Sequence, residues 1–149
     1  MRKLNKKIRK ITNEFVDKCK ERFGKDLISV VLFGSHARGT ATSYSDVDLL
    51  VVVENLPRKR IERYKLLTKE IHDILIRYNL KISPIIIEPK ELSTKNINPL
   101  IYGILTGYKI LYERDDFWNR YLDNIRDVIK LTKPVYIEGA KRWDIEKLI

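Results

Sequence analysis

Val30-Val31-Leu32-Phe33-Gly34-Ser35-His36-Ala37-Arg38-Gly39, with Ser45-Asp46-Val47-Asp48-Leu49-Leu50-Val51-Val52-Val53 close behind, is the stretch whose reading decides the fold. An apolar run stops at Gly34-Ser35, a short polar segment follows, and Asp46 and Asp48 open a second apolar run. Side chains alternate across a strand, so carboxylates at i and i+2 point to one face. Two unpaired carboxylates on one face of a hydrophobic strand are costly as core filler. They need a counter-charge, and a divalent cation is the simplest. The Gly-Ser turn ahead of them offers free backbone N–H groups and a hydroxyl, as a phosphate requires. The stretch reads as a site for a metal-bound nucleotide.

Upstream, Leu4, Ile8, Ile11, Phe15, Val16, Cys19 and Phe23 fall at three- and four-residue steps, which predicts an amphipathic helix from Leu4 to Phe23. Gly24 is its expected C-cap, and Lys25-Asp26 turn the chain into a strand from Leu27 to Phe33. Downstream, the unbroken Leu-Leu-Val-Val-Val of a Val47 to Val53 strand implies burial on both faces, hence a central position. Ile61 to Tyr78 read as one helix, with Ile61, Tyr64, Leu67, Ile71, Ile74, Leu75 and Tyr78 inward. A third strand spans Lys81 to Glu88; Pro84 inside it cannot donate to a ladder, which argues for an edge strand or a bulge. The order to this point predicts a small α/β or α+β sheet with helices on one side.

Beyond it, Pro99 to Thr106 read as a short helix capped by Asn98 and closed by Gly107, and Tyr108 to Tyr112 as a short strand. Asp115 is the expected cap of a long helix through Leu131, with Trp118, Leu122, Ile125 and Ile129 inward. A last helix is expected over Glu138 to Ile149, around Trp143.

The 149 residues are 44% apolar and suffice for one core. A net charge of +10 fits either a lysine-rich solvated surface or an anionic partner such as a nucleotide, nucleic acid or acidic protein. Cys19 is the only cysteine, which excludes an internal disulfide or a cysteine-based zinc site and fits a cytoplasmic setting. The basic N-terminus lacks a continuous apolar core, so no signal peptide is expected. No apolar run is long enough for a transmembrane helix, and no membrane partner is expected.

Gly34-Ser35-x-Ala37-Arg38-Gly39 followed by Ser45-Asp46-x-Asp48-Leu49-Leu50-Val51 resembles the signature of the DNA polymerase β-like nucleotidyltransferases, in particular their minimal nucleotidyltransferase (MNT) branch. Asn98-Pro99-Leu100, Gly107-Tyr108 and Leu111-Tyr112 are similar to elements of archaeal members of that branch. The resemblance implies an α+β fold: a small mixed sheet flanked by helices, with a nucleotidyltransferase domain over 1–114 and a C-terminal helical extension over 115–149 in the same compact unit. It implies Mg²⁺, up to two ions, and ATP as substrate. The implied acceptor is a tyrosine on a HEPN-type toxin encoded nearby, this chain acting as antitoxin.

Each residue also has its own chemistry. Gly34 lets the backbone approach a phosphate, and Ser35 can donate its hydroxyl to a phosphate oxygen. Asp46 and Asp48 are hard oxygen ligands suited to Mg²⁺. Arg38 either steadies the triphosphate or braces the loop through Asp46 or a carbonyl. His36 reads as a variable position, and His72 as a surface or boundary residue. Tyr102, Tyr108, Tyr112, Trp118 and Trp143 read as packing residues.

One departure matters. The superfamily takes a third carboxylate from the next strand, whereas here Ser83 or Ile85 stands in that region. Glu88, at the strand's far end, is the substitute metal ligand that the sequence offers. The missing acid supports a rival reading, a catalytically weak module that neutralises its partner by complex formation. A small-molecule acceptor is a third reading, opposed by the few residues left for an acceptor domain. Nucleic-acid binding through the basic helices is a fourth, with no recognition motif behind it.

Overall fold

The computed structural model describes residues 4–92, 97, 99–132, 136–137 and 142–143. Helix α1 (Lys6–Phe23) leads into β1 (Leu27–Phe33), a single-turn α2 (Gly34–Arg38) and β2 (Val47–Val53). Then come α3 (Arg60–Lys65), α4 (Thr68–Tyr78) and β3 (Ile82–Ile87), followed by α5 (Pro99–Leu105), β4 (Lys109–Glu113) and α6 (Phe117–Thr132). A two-residue hairpin, β5 (Tyr136–Ile137) with β6 (Arg142–Trp143), is described beyond α6. The sheet runs β3-β2-β1-β4, with β2 and β3 parallel and both other pairs antiparallel. As expected, β2 is central and β3, with its Pro84, is an edge strand.

The alternation of β2 builds two cores. Val47, Leu49, Val51 and Val53 face α1 and α4, packing with Ile11, Phe15, Ile71 and Ile74. Leu50 and Val52 face the other way, against Ile101 and Ile104 of α5 and Trp118, Tyr121 and Ile125 of α6. Helices therefore cover both faces, not one. A continuous apolar strand has two faces to bury, and α5 and α6 supply the second cover. Ser29 Oγ donates to the Tyr112 carbonyl at 2.8 Å and accepts from Trp118 Nε1 at 2.7 Å, pinning β1, β4 and α6 together. Tyr102 and Trp118 are buried packing residues, as read. So is the Cys19 side chain, whose thiol is pushed up to about 12 by burial and by the nearby Glu70 carboxylate.

Three local expectations need correction. The segment Ile61 to Tyr78 is not one helix; it breaks at Leu66-Leu67 into α3 and α4. Ile61, Tyr64 and Leu75 are exposed, and Arg63 is the α3 residue that turns inward. Its Nε donates to the Pro57 carbonyl at 2.6 Å and Nη1 to that of Ile86 at 3.3 Å, while Nη2 meets the Glu91 carboxylate at 2.6 Å and Glu88 at 3.6 Å. A straight helix would carry Arg63 away from these acceptors, which lie at the exit of β3. Arg63→Met is expected to lower stability by about 2 kcal/mol, because the two carbonyls and two carboxylates lose a common donor. Denaturant unfolding checks this, and Arg63→Lys should restore little, lacking the planar fork.

Asp115 does not cap α6. It and Asp116 both adopt left-handed backbone at φ 54°, and the Trp118 N–H is instead taken by the Glu113 carboxylate at 3.1 Å. Aspartate tolerates that conformation better than most residues, and the turn needs two of them. Finally, Trp143 lies in β6, paired in register with Tyr136 of β5, and not in a helix. Residues 138–141 and 144–149, the Asn98 cap and the Ile129 side chain lie outside the described residues. Among the described residues no helix is long and apolar enough to cross a membrane.

Candidate active site

Asp48 is the second residue of β2, flanked in register by Phe33 on β1 and Ser83 on β3. It shares the face of Leu50 and Val52 and is half-buried, while Asp46 is exposed at the strand's mouth. Gly34 begins α2 at φ +74° and is itself buried. A Cβ there would overlap the Asp48 carboxylate oxygen and lie 3.0 Å from its Cγ, so the glycine backbone rests directly on the carboxylate. No side chain caps the first turn of α2, which leaves its leading N–H groups for a ligand or water, with half-buried Ser35 among them. The sequence reading placed Gly34, Ser35, Asp46 and Asp48 together, and the structure brings these four to one end of the sheet.

The electrostatics match the geometry. Burial, and then the charge of Asp46, push the Asp48 carboxyl above the usual carboxylate range; His36 and Arg38 pull it back. A half-buried acid beside a like charge lacks a full counter-charge, which is what a divalent cation supplies. Two oxygen-bearing side chains on an open face therefore fit a hard cation shared with a ligand's phosphates.

Arg38 packs its aliphatic stem on Gly107, just past α5, where an added Cβ would meet its Cγ at 2.7 Å. Its guanidinium end is left toward solvent and the carboxylates. His36 has a structural task that the sequence did not reveal. Its Nε2–H donates to the Ser45 carbonyl at 3.0 Å, fixing the residue just ahead of Asp46. The loop also braces itself: the Thr42 N–H donates to Ser45 Oγ at 2.9 Å and the Ser45 N–H to the Thr42 carbonyl at 3.2 Å. Neither His36 nor Gly107 carries a local sequence signal for these contacts: the first closes the loop across nine residues and the second reaches from α2 to just past the end of α5. His72 is exposed on α4.

Glu88 is not part of this site. Asp48 pairs with Ser83, and Glu88 lies five residues further along, about 16 Å at the rise of a strand. Its carboxylate is held there by Arg63 at 3.6 Å and Lys90 at 3.5 Å. Among the described residues no group of three or more His, Cys, Asp or Glu gathers around a possible ion position. A cleft of about 510 Å³ opens between the start of α1, α2 and the loop after it, lined by Ile8, His36, Ala37, Thr42 and Leu80. Neither carboxylate lines it. At the carboxylate end of the sheet, outside this cleft, Asp48 is half-buried and Asp46 exposed.

Comparison with known proteins agrees with this layout. The family model for the nucleotidyltransferase domain matches residues 12–112. The chain is 56% identical over 144 residues, 97% of its length and 98% of the relative's, to a Methanocaldococcus jannaschii protein named "Putative protein adenylyltransferase MJ1305". A second protein of that organism with the same kind of name is 34% identical, covering 69% of this chain and 96% of its own. In fold, the chain is similar to a structure of a toxin-antitoxin with AMP-PNP, at TM-score 0.54 and 20% identity over 81% of this chain and 89% of that one. It is also similar to the structure of a tri-AMPylated Shewanella oneidensis HEPN toxin in complex with MNT antitoxin, at TM-score 0.53 and 17% identity over 84% and 89%. A match that spans the sheet, both carboxylates and the Gly-Ser turn leaves one assignment: this chain belongs to the nucleotidyltransferase domain family and is a nucleotidyltransferase.

Proposed function

We propose that the chain transfers AMP from ATP to a protein hydroxyl, the acceptor being a tyrosine of a HEPN-type toxin that this chain neutralises. The observation that carries the reading is the Gly34 backbone seated on the Asp48 carboxylate, with no room for a Cβ, beside a first turn of α2 that no side chain caps. The naming of a relative matched over almost its whole length as a protein adenylyltransferase supports the reaction class. The fold neighbours with AMP-PNP and with an AMPylated HEPN toxin support the nucleotide and the partner. The exposure of Asp46 at the mouth of β2 supports a macromolecular acceptor, since a protein can bring its own walls to the site. A cytoplasmic setting supplies the ATP.

Asp46 and Asp48 would hold Mg²⁺, which when bound lends Lewis-acid stabilisation to charge developing on the phosphates. Ser35 and the first N–H groups of α2 bind phosphate oxygens, and the Arg38 guanidinium balances their charge. Gly34 keeps the phosphates close to Asp48, and His36 holds the loop that delivers Asp46. The acceptor oxygen forms a bond to the α-phosphorus as the bond to the bridging oxygen breaks; pyrophosphate leaves, and the acceptor proton passes to solvent.

Incubating the chain with the toxin encoded nearby, ATP and Mg²⁺ should add AMP masses to the toxin, detectable by intact-protein mass spectrometry. No gain with the wild-type chain, or an equal gain with Asp46→Ala plus Asp48→Ala, rules the reading out. That no third carboxylate joins Asp46 and Asp48 among the described residues favours a second reading, neutralisation by masking alone. It requires a complex that forms without ATP and survives loss of both carboxylates.

A further inference from the structure

The register of β2 and β3 carries one step further, resting on the nucleotidyltransferase reading. Parallel pairing sets Ser83 beside Asp48. Ile85 and Ile87, two and four residues on, pack into the core with Leu50 and Val52, so Ser83 stands on the face of Asp48 and the sequence's choice between Ser83 and Ile85 falls to Ser83. On the other flank Asp48 meets Phe33, which brings no ligand atom. Among the described residues the chain therefore offers an ion two carboxylates and one neutral hydroxyl.

Charge counting then limits the site. One divalent ion is satisfied by one or two carboxylates with substrate phosphates and water. Two such ions sit about 3.5–4 Å apart and repel; the triphosphate brings oxygens to both, and what the protein has to add is a further carboxylate placed to bridge the pair or close the second ion's shell. Glu88 cannot provide one, being held by Arg63 at the far end of β3. We propose that the chain binds its nucleotide with a single divalent ion, and that Ser83 sets this count by placing a hydroxyl where a carboxylate would complete a second ion's shell. Ser83 is a positioning residue for metal stoichiometry.

The test counts bound Mn²⁺ by electron paramagnetic resonance, with the chain saturated by a non-hydrolysable ATP analogue. Wild type and Ser83→Ala should each retain one Mn²⁺ per chain. Ser83→Asp should retain two, the second at least ~10-fold tighter than any second ion in wild type, where 1.36 kcal/mol is a factor of ten. Two ions in wild type, or one ion in a folded, nucleotide-bound Ser83→Asp, overturns the proposal. If Ser83→Asp fails to fold, Ser83→Glu takes its place under the same criteria, and the wild-type count alone still overturns the proposal if it is two. Failure of the underlying reading looks different: wild type would then retain no more Mn²⁺ than Asp46→Ala plus Asp48→Ala, and both proposals fall.

Discussion

Asp48→Asn should cut AMP transfer at least ~10³-fold while making the metal-free protein more stable. The first effect follows from removing an anionic ligand, since several kcal/mol of transition-state stabilisation are at stake and each 1.36 kcal/mol is a factor of ten. The second follows from the raised pKa of Asp48, caused by burial and then by Asp46. A carboxyl whose folded value lies above its unfolded one favours folding when protonated. That contribution is complete below the ordinary carboxylate range and is lost as pH rises through the raised folded value. At neutral pH the ionised group is a net cost, which asparagine removes. Thermal unfolding without metal should therefore place Asp48→Asn above wild type at pH 7, with the gap closing below the ordinary carboxylate range. Adding Mg²⁺ and ATP should narrow the gap from the other side, because only wild type binds them well. Equal melting temperatures at every pH would contradict the account, and retained transfer would remove Asp48 from the reaction.

Gly34→Ala should lose both stability and activity, for separable reasons. The φ of +74° costs an L-residue roughly 1–2 kcal/mol. The new methyl would also overlap the Asp48 carboxylate and sit 3.2 Å from its Cβ, so the carboxylate has to move. A misplacement of about 1 Å in a reacting group is worth ~10² in rate, and transfer should fall by at least that much. Gly24→Ala separates strain from displacement. Its φ is also positive, at +54°, but nothing lies within 4 Å of the added Cβ. It should melt lower than wild type yet transfer AMP at the wild-type rate per folded molecule. Activity loss of similar size in both variants would show that Gly34 matters only through strain.

Much of this molecule was legible locally. The bounds of β1 and β2 coincide with the apolar runs Leu27 to Phe33 and Val47 to Val53, and α1 ends at its predicted glycine. Pro84 pointed to an edge strand or a bulge, and β3 is an edge strand; of the two carboxylates Asp48 lies in β2 and Asp46 one residue before its start. These features depend on a residue and its near neighbours, so a linear reading reaches them. The errors share a cause. Arg63 turns inward because acceptors from 57, 86, 88 and 91 converge on it, and the helix breaks to permit that. Glu88 looked like a ligand only while its distance from Asp48 and its hold on Arg63 were hidden.

The sequence by itself pointed to the kind of chemistry: a Gly-Ser turn at the end of one apolar strand and two carboxylates at the mouth of the next. Only the tertiary structure decided which atoms complete that site. Strand register chose Ser83 as the neighbour of Asp48, and α2 laid Gly34 on its carboxylate. The physical reason is that spacing along a strand fixes which face a side chain takes, whereas the atoms that share that face come from other strands, through pairing set by the whole packed sheet.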